Sequence, residues 1–393
     1  MASRLKQLRL TQTGGETVGL EHSHRQAQAQ GKAQTGNKKS DTELAAYLNG
    51  IVMDKGLIYV RSQQALNDIH QTYDASLLLT SIQSWQETFN STCEDLLFID
   101  TETNGLSGGV GTLAFLLGVA EVKGNTIINH QLFLNGMSGE KAMLNWFNKI
   151  LDKKTTLVSY NGKSFDIPLL ANRFRLQRMS SPLLTLAHVD LLHWVRRMYQ
   201  KYWPDCRLPS AEQHCLNFSR NNDISGAEAP LIWSRLVRQG EVGQLKPLLQ
   251  HHYWDVLSLV GILDYVIRGF STNGSSKMNY FAIANYLQKQ GRSRQAQTLL
   301  ESNQNVLCGQ GLMLLSKFYK QQKHYQKALV IWKSLTEKND TLAIEFLAKH
   351  YEHIQKDYSE ALMYAHRLVS LSAEPLHEKR KVRLIRKLEC SLS

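Results

Sequence analysis

Four carboxylates define the chemistry open to this chain. Asp100 and Glu102, in LLFIDTETNGL, close an apolar strand at positions i and i+2. The two-residue period of a strand puts both on one face, where they can share an ion. Burying such a pair is costly unless a cation or donors compensate it, so the pair by itself reads either as a metal site or as a solvated strand end, and the further carboxylates turn the choice to metal. Asp166, in SYNGKSFDIPLL, lies where a strand meets a helix, after Tyr160, Asn161 and Gly162, which let the backbone turn. Asp255, in HHYWDVLSLVGIL, sits on a helix whose Val256, Leu257, Leu259 and Val260 pack it into the core. Carboxylates drawn from two strands and two helices suit two hard divalent ions, Mg²⁺ or Mn²⁺ rather than zinc, about 3.5–4 Å apart. One ion would generate a hydroxide and the other would stabilise the leaving oxygen of a phosphodiester. His251 and His252 lie four and three residues before Asp255 and can share its helical face. His251 is the choice of general base, with His252 as the alternative.

Substrate contacts are expected nearby. The run GLSGGVGT offers backbone N–H groups free of obstructing side chains, and with Thr103 it supplies Gly108, Gly109, Gly111 and Thr112 as candidate substrate-binding positions. A tight hairpin is the other account of these glycines. GGVGT lacks the Lys-Ser or Lys-Thr of a nucleotide-binding phosphate loop. Asn161 and Lys163 are placed to meet phosphates, and Phe165 either stacks on a base or packs in the core. Asp190, in HVDLLH, reads as a helix N-cap rather than a ligand. Cys206, His214 and Cys215 lack the paired spacing and fourth ligand of a zinc site, which leaves a helix with a buried thiol.

The elements that must hold these residues follow from periodicity. Strands are expected at 96–100, 112–122 and 126–134 as an antiparallel meander, then a helix at 140–151, a strand at 156–160 and a helix at 167–176. Helices at 189–202, 209–218, 229–239 and 242–268 complete an α/β domain over 95–270. Ahead of it, 1–42 reads as a disordered basic tail, and 43–94 as a lead-in with an extended piece at 56–60 and a helical run at 75–89. A Gly/Ser-rich break at 270–277 precedes a repeat over 278–393, in which Ala296, Ala328 and Ala361 recur at 32 and 33 residues. This all-α region resembles tetratricopeptide repeats and would either offer a groove to a protein partner or cap the catalytic domain.

Composition narrows the partners. Lys and Arg number 46 against 34 Asp and Glu, a formal net charge of +12 that favours a polyanion such as nucleic acid. The apolar run 113–120 is far short of the roughly 18 residues a membrane span needs, so no membrane partner is expected. No apolar h-region follows the basic start, and five cysteines without CxxC spacing suit a reducing compartment, so a cytoplasmic location is expected.

The blocks FIDTETNG, SYNGKSFDIPLL and HYWDVLSL resemble the three motifs of the DEDD superfamily of 3′→5′ exonucleases. With GLSGGVGTLAFLLGV, HVDLLH and RLPSAEQHCL between them, residues 95–268 are similar to the YprB-type ribonuclease-H-like family. The resemblance implies a ribonuclease-H-like mixed sheet flanked by helices and a metal-dependent nuclease with Asp100, Glu102, Asp166 and Asp255 as catalytic metal ligands. Better-known DEDD subtypes carry a tyrosine four residues before the last aspartate or a histidine five before it; this chain has His251 and Gln250 there. The activity expected is 3′→5′ hydrolysis of single-stranded DNA or RNA ends. The alternatives are a ribonuclease-H-like endonuclease and a nucleic-acid-binding scaffold acting through its repeats.

Overall fold

The computed structural model describes residues 39–80, 82, 92–105, 111–270, 277–372 and 374–392. Among them seven strands form one sheet: β1 (Ile51–Asp54), β2 (Leu57–Ala65), β3 (Leu96–Thr103), β4 (Ala114–Lys123), β5 (Thr126–Leu134), β6 (Thr156–Ser159) and β7 (Ala187–Asp190), in the order β1-β2-β5-β4-β3-β6-β7. β3, β4 and β5 are the expected antiparallel meander, while β6 and β7 run parallel to β3, so the sheet is mixed. β3 is buried over its first four residues and partly open over its last four, where Asp100 and Glu102 lie. Its neighbour β4 is buried along all but its last residue, as a strand covered on both faces must be.

Helices α1 (Asp41–Tyr47), α2 (Glu140–Leu151), α3 (Asp166–Leu176), α4 (Leu191–Tyr199), α5 (Leu208–Ala211), α6 (Ala229–Gln239) and α7 (Leu245–Arg268) flank this sheet. Three expectations are corrected. The helix α1 starts within the last two residues assigned to the tail, capped by Ser40 and tied down by the Asp41 carboxylate, which accepts from Gly56 N at 2.7 Å and Asn135 Nδ2 at 2.6 Å. The helix expected over 189–202 is divided, because β7 pairs with β6 as far as Asp190 before α4 begins. The stretch 209–218 is a short helix that widens into a π-turn over Glu212–Leu216 and closes on Asn217 in the left-handed conformation. Residues 81 and 83–89 of the helical run expected at 75–89 lie outside the described residues.

Beyond residue 277 the chain is helical: α8 (Tyr280–Lys289), α9 (Ser293–Ser302), α10 (Gly309–Gln321), α11 (Tyr325–Glu337), α12 (Thr341–His350), α13 (Tyr358–Leu371) and α14 (Pro375–Leu392). Ala296, Ala328 and Ala361 are each the fourth residue of α9, α11 and α13, and all three are fully buried. The small side chain lets adjacent helices approach at these points. This region shares its core with the sheet domain: Met198, Tyr280, Ile283 and Leu287 pack in the same cluster as Val256 and Leu263 of α7. Trp194 of α4 meets Tyr286 edge-on at 5.0 Å, Arg197 lies 4.1 Å from the centre of the same ring, and Asn279 N donates to Met198 O. No helix among the described residues is long and apolar enough to cross a membrane.

Candidate active site

The open end of β3 and the middle of α7 build the site. Asp100 pairs across the sheet with Gly118, and Gly118 with Gln131, so the three form a row beneath α7. A Cβ at Gly118 would fall 2.3 Å from His252 Cε1, so only glycine lets the imidazole lie over the sheet there. His252 is fully buried. Its Nδ1 accepts from Gln131 Nε2 at 3.1 Å and its Nε2–H donates to the Asp100 carbonyl at 3.2 Å. Gln131 Nε2 also donates to Leu249 O at 2.8 Å, which fixes the amide. Burial lowers the His252 pKa to about 4, so this ring is neutral and both its nitrogens are engaged. It braces the site instead of exchanging protons.

His251, one residue earlier, points the other way. Its Nδ1 lies 2.7 Å from Asp223 Oδ2, and its Nε2 lies 3.4 Å from Asp255 Oδ2 and 3.9 Å from Glu102 Oε1. One ligand atom from each of Glu102, His251 and Asp255 falls within a mutual 4.8 Å. Asp166, the first residue of α3, arrives from the far side of β6, where Thr101 Oγ1 donates to its Oδ1 at 2.5 Å. Asp190 sets the loop before it: its buried carboxylate accepts from Asn161 N, Lys163 N and Leu192 N, so the N-cap role expected for it extends to the turn ahead of Asp166.

Electrostatics mark this cluster as short of positive charge. Burial, then the like charges of Asp166, Asp255 and Glu102, lift the Asp100 carboxyl well above the usual range. Glu102 is lifted in the same way, by burial and then by Asp255 and Asp166. The Asp100 and Glu102 side chains nevertheless keep 20% and 13% of their surface open, enough for an ion to reach them. Gly226 leaves the space: a Cβ there would stand 3.3 Å from His251 Nε2 and 3.9 Å from Glu102 Oε1. Mutually repelling oxygen donors around a cradle that one methyl group would invade fit a divalent cation.

Three charged residues complete the surroundings. Arg220, with 6% of its side chain exposed, donates to Asp255 Oδ1 at 2.6 Å, to Asp223 Oδ2 at 3.1 Å and, through Nε and Nη2, to both oxygens of Glu212. Glu212, Arg220 and Asp223 carry no spacing that marks them in the sequence. The only local hint is a mixed-charge loop, SRNND, shortly before the helix that carries Asp255.

The expected substrate positions divide into three groups. Phe165 is 61% exposed beside Asp166, which rules out core packing for it, and Lys163 is exposed in the same loop. Asn161 holds that turn with φ 68°, and Gly111 faces open space. Thr103 Oγ1 donates to Gly105 O, while Thr112 is buried and its carbonyl accepts from Arg173. Gly108 and Gly109 lie outside the described residues. Cys215 is buried and His214 stacks on Trp203 at 4.6 Å.

Residues 97–267 match the RNase_H superfamily. The uncharacterized protein YprB of Bacillus subtilis (strain 168) is 31% identical over 307 residues, covering 74% of each chain. The family B DNA polymerase of the hyperthermophilic archaeon Pyrobaculum calidifontis is similar over 58% of this chain at 14% identity with a TM-score of 0.39. The match spans 29% of that polymerase chain. On the length and identity of the Bacillus match, the chain belongs to the YprB-type family and carries its RNase_H superfamily nuclease domain.

Proposed function

We propose that this protein is a metal-dependent 3′→5′ exonuclease that hydrolyses single-stranded DNA or RNA ends. The observation that carries the reading is the convergence of Glu102, Asp255 and His251 within 4.8 Å at the open end of β3, with Asp100 beside them, buried and raised by the like charge of Asp166. Asp100, Glu102, Asp166 and Asp255 would hold two Mg²⁺ or Mn²⁺ ions. Those ions supply charge to offset the phosphodiester oxygens and to acidify the attacking water.

The chain's own groups do the rest. His251 accepts the water's proton at Nε2, the nitrogen that faces Glu102 and Asp255. As the water oxygen bonds to phosphorus, the bond from phosphorus to the 3′ oxygen breaks, releasing a 5′-monophosphate from the strand end. Exposed Phe165 stacks on the terminal base, Lys163 and Asn161 meet the phosphates, and Thr103 and Gly111 line the approach. The C-terminal helical repeats dock a protein partner or extend the nucleic-acid surface.

The test uses 5′-labelled DNA and RNA oligonucleotides with Mg²⁺, Mn²⁺ or EDTA, read as a ladder. A metal-dependent ladder shortening from the 3′ end is expected, with loss of about 10³-fold or more in Asp100→Ala and Asp255→Asn. Unchanged degradation by either variant sinks the assignment. Circular single-stranded DNA should survive, and its cleavage would make the enzyme an endonuclease.

A further inference from the structure

Two histidines that follow one another in α7 are held through different ring nitrogens, and the group that holds the open one lies outside every motif. A carboxylate oxygen accepts hydrogen bonds, so Asp223 Oδ2, 2.7 Å away, takes the N–H of His251 Nδ1. Arg220 Nη1 is 3.1 Å from both Asp223 Oδ2 and His251 Nδ1, and with Nδ1 protonated its N–H belongs to the carboxylate. Nε2 is then the nitrogen that faces Asp255 and Glu102.

We infer that Asp223 is the positioning residue of this site, anchored by Arg220, and that it holds His251 by Nδ1 so that Nε2 is presented for proton acceptance. The anchor is rigid for identifiable reasons. Glu212 grips Arg220 through both carboxylate oxygens, at 2.8 and 2.5 Å, and Ser258 Oγ donates to Glu212 Oε1. The same guanidinium takes Asp255 Oδ1, so Asp255 turns its other oxygen, Oδ2, towards His251. A purely structural ion pair would be complete with Arg220 and Glu212. The additional reach to Asp223 and Asp255 brings the guanidinium to the two residues that flank His251.

The inference rests on His251 as the proton acceptor of the proposed nuclease, and the experiment separates the two. Ring nitrogens of ¹⁵N-histidine-labelled full-length protein are read by NMR, with the His251 signals identified by their absence in His251→Gln. In parallel, kcat and KM for a 5′-labelled oligonucleotide with Mn²⁺, and Mn²⁺ affinity by calorimetry, are measured for wild type and Asp223→Asn. The asparagine matches the volume of the aspartate; Asp223→Ala serves as the second variant. Wild type should show His251 protonated on Nδ1, and the variants should lose that preference. The variants should also lose about 10²-fold or more in kcat, with KM and Mn²⁺ affinity within about threefold of wild type. A wild-type His251 protonated on Nε2, or an Asp223→Asn kcat within about threefold of wild type, overturns the inference. If wild type hydrolyses nothing, the nuclease reading falls while the tautomer measurement still decides the role of Asp223.

Discussion

Asp100 and Glu102 are lifted by burial and by the carboxylates around them, so in the absence of cations their ionisation opposes folding. An unfolded aspartate ionises near 3.9, whereas the folded Asp100 holds its proton to a higher pH. Between those two values the folded state binds more protons, so this group's contribution to stability falls as pH rises. Asp100→Asn removes the charge and keeps the shape. In EDTA at pH 7.5 its unfolding midpoint should exceed that of wild type by roughly 2–4 °C, the response to about 1 kcal/mol in a domain of this size. The gap should shrink towards pH 4 and close when Mn²⁺ is added to wild type, as thermal melts would record. A midpoint below that of wild type at pH 7.5 would contradict the like-charge account.

At the level of elements, α7 is located on the sheet by His252, which fits only because position 118 is glycine. Gly118→Ala should cost about 1–3 kcal/mol in urea unfolding, the range for overpacking a tight core, and a neutral result would mean that the helix can shift to accept the methyl group. Much of this frame was legible beforehand. Helices 140–151 and 229–239 match the observed limits, since each has a strong apolar stripe and α6 ends on Gly240 at φ 74°. The i, i+2 spacing put Asp100 and Glu102 on one strand face, and in β3 the charge of Glu102 does act on Asp100. β7 was hidden because four residues are too few to show a period before α4 begins. Asp223 and Arg220 were hidden for another reason. Their partners lie 28 and 35 residues away, and contacts across a loop leave no local spacing to read. From sequence His252 stood as the alternative to His251 as general base. A turn of about 100° per residue sends one into the sheet and the other into the site.

The whole molecule is held by a core that runs from the sheet domain into the helical region. Met198 and Trp194 on one side meet Tyr280, Ile283 and Tyr286 on the other. A chain ending at residue 270 would expose this apolar face, so it should bind a hydrophobic dye and lose its cooperative melt, whereas a sharp melt would show the two parts to be independent. The strip of contact lies on α4, and the N-cap of that helix is Asp190, whose carboxylate grips the turn ahead of Asp166. Nine residues of helix, about 13 Å of rigid rod, therefore join the seat of the C-terminal helices to the loop that bears Phe165 and Lys163. Neither end of that rod can be tilted without the other, so the helical region sets the angle at which the loop is presented.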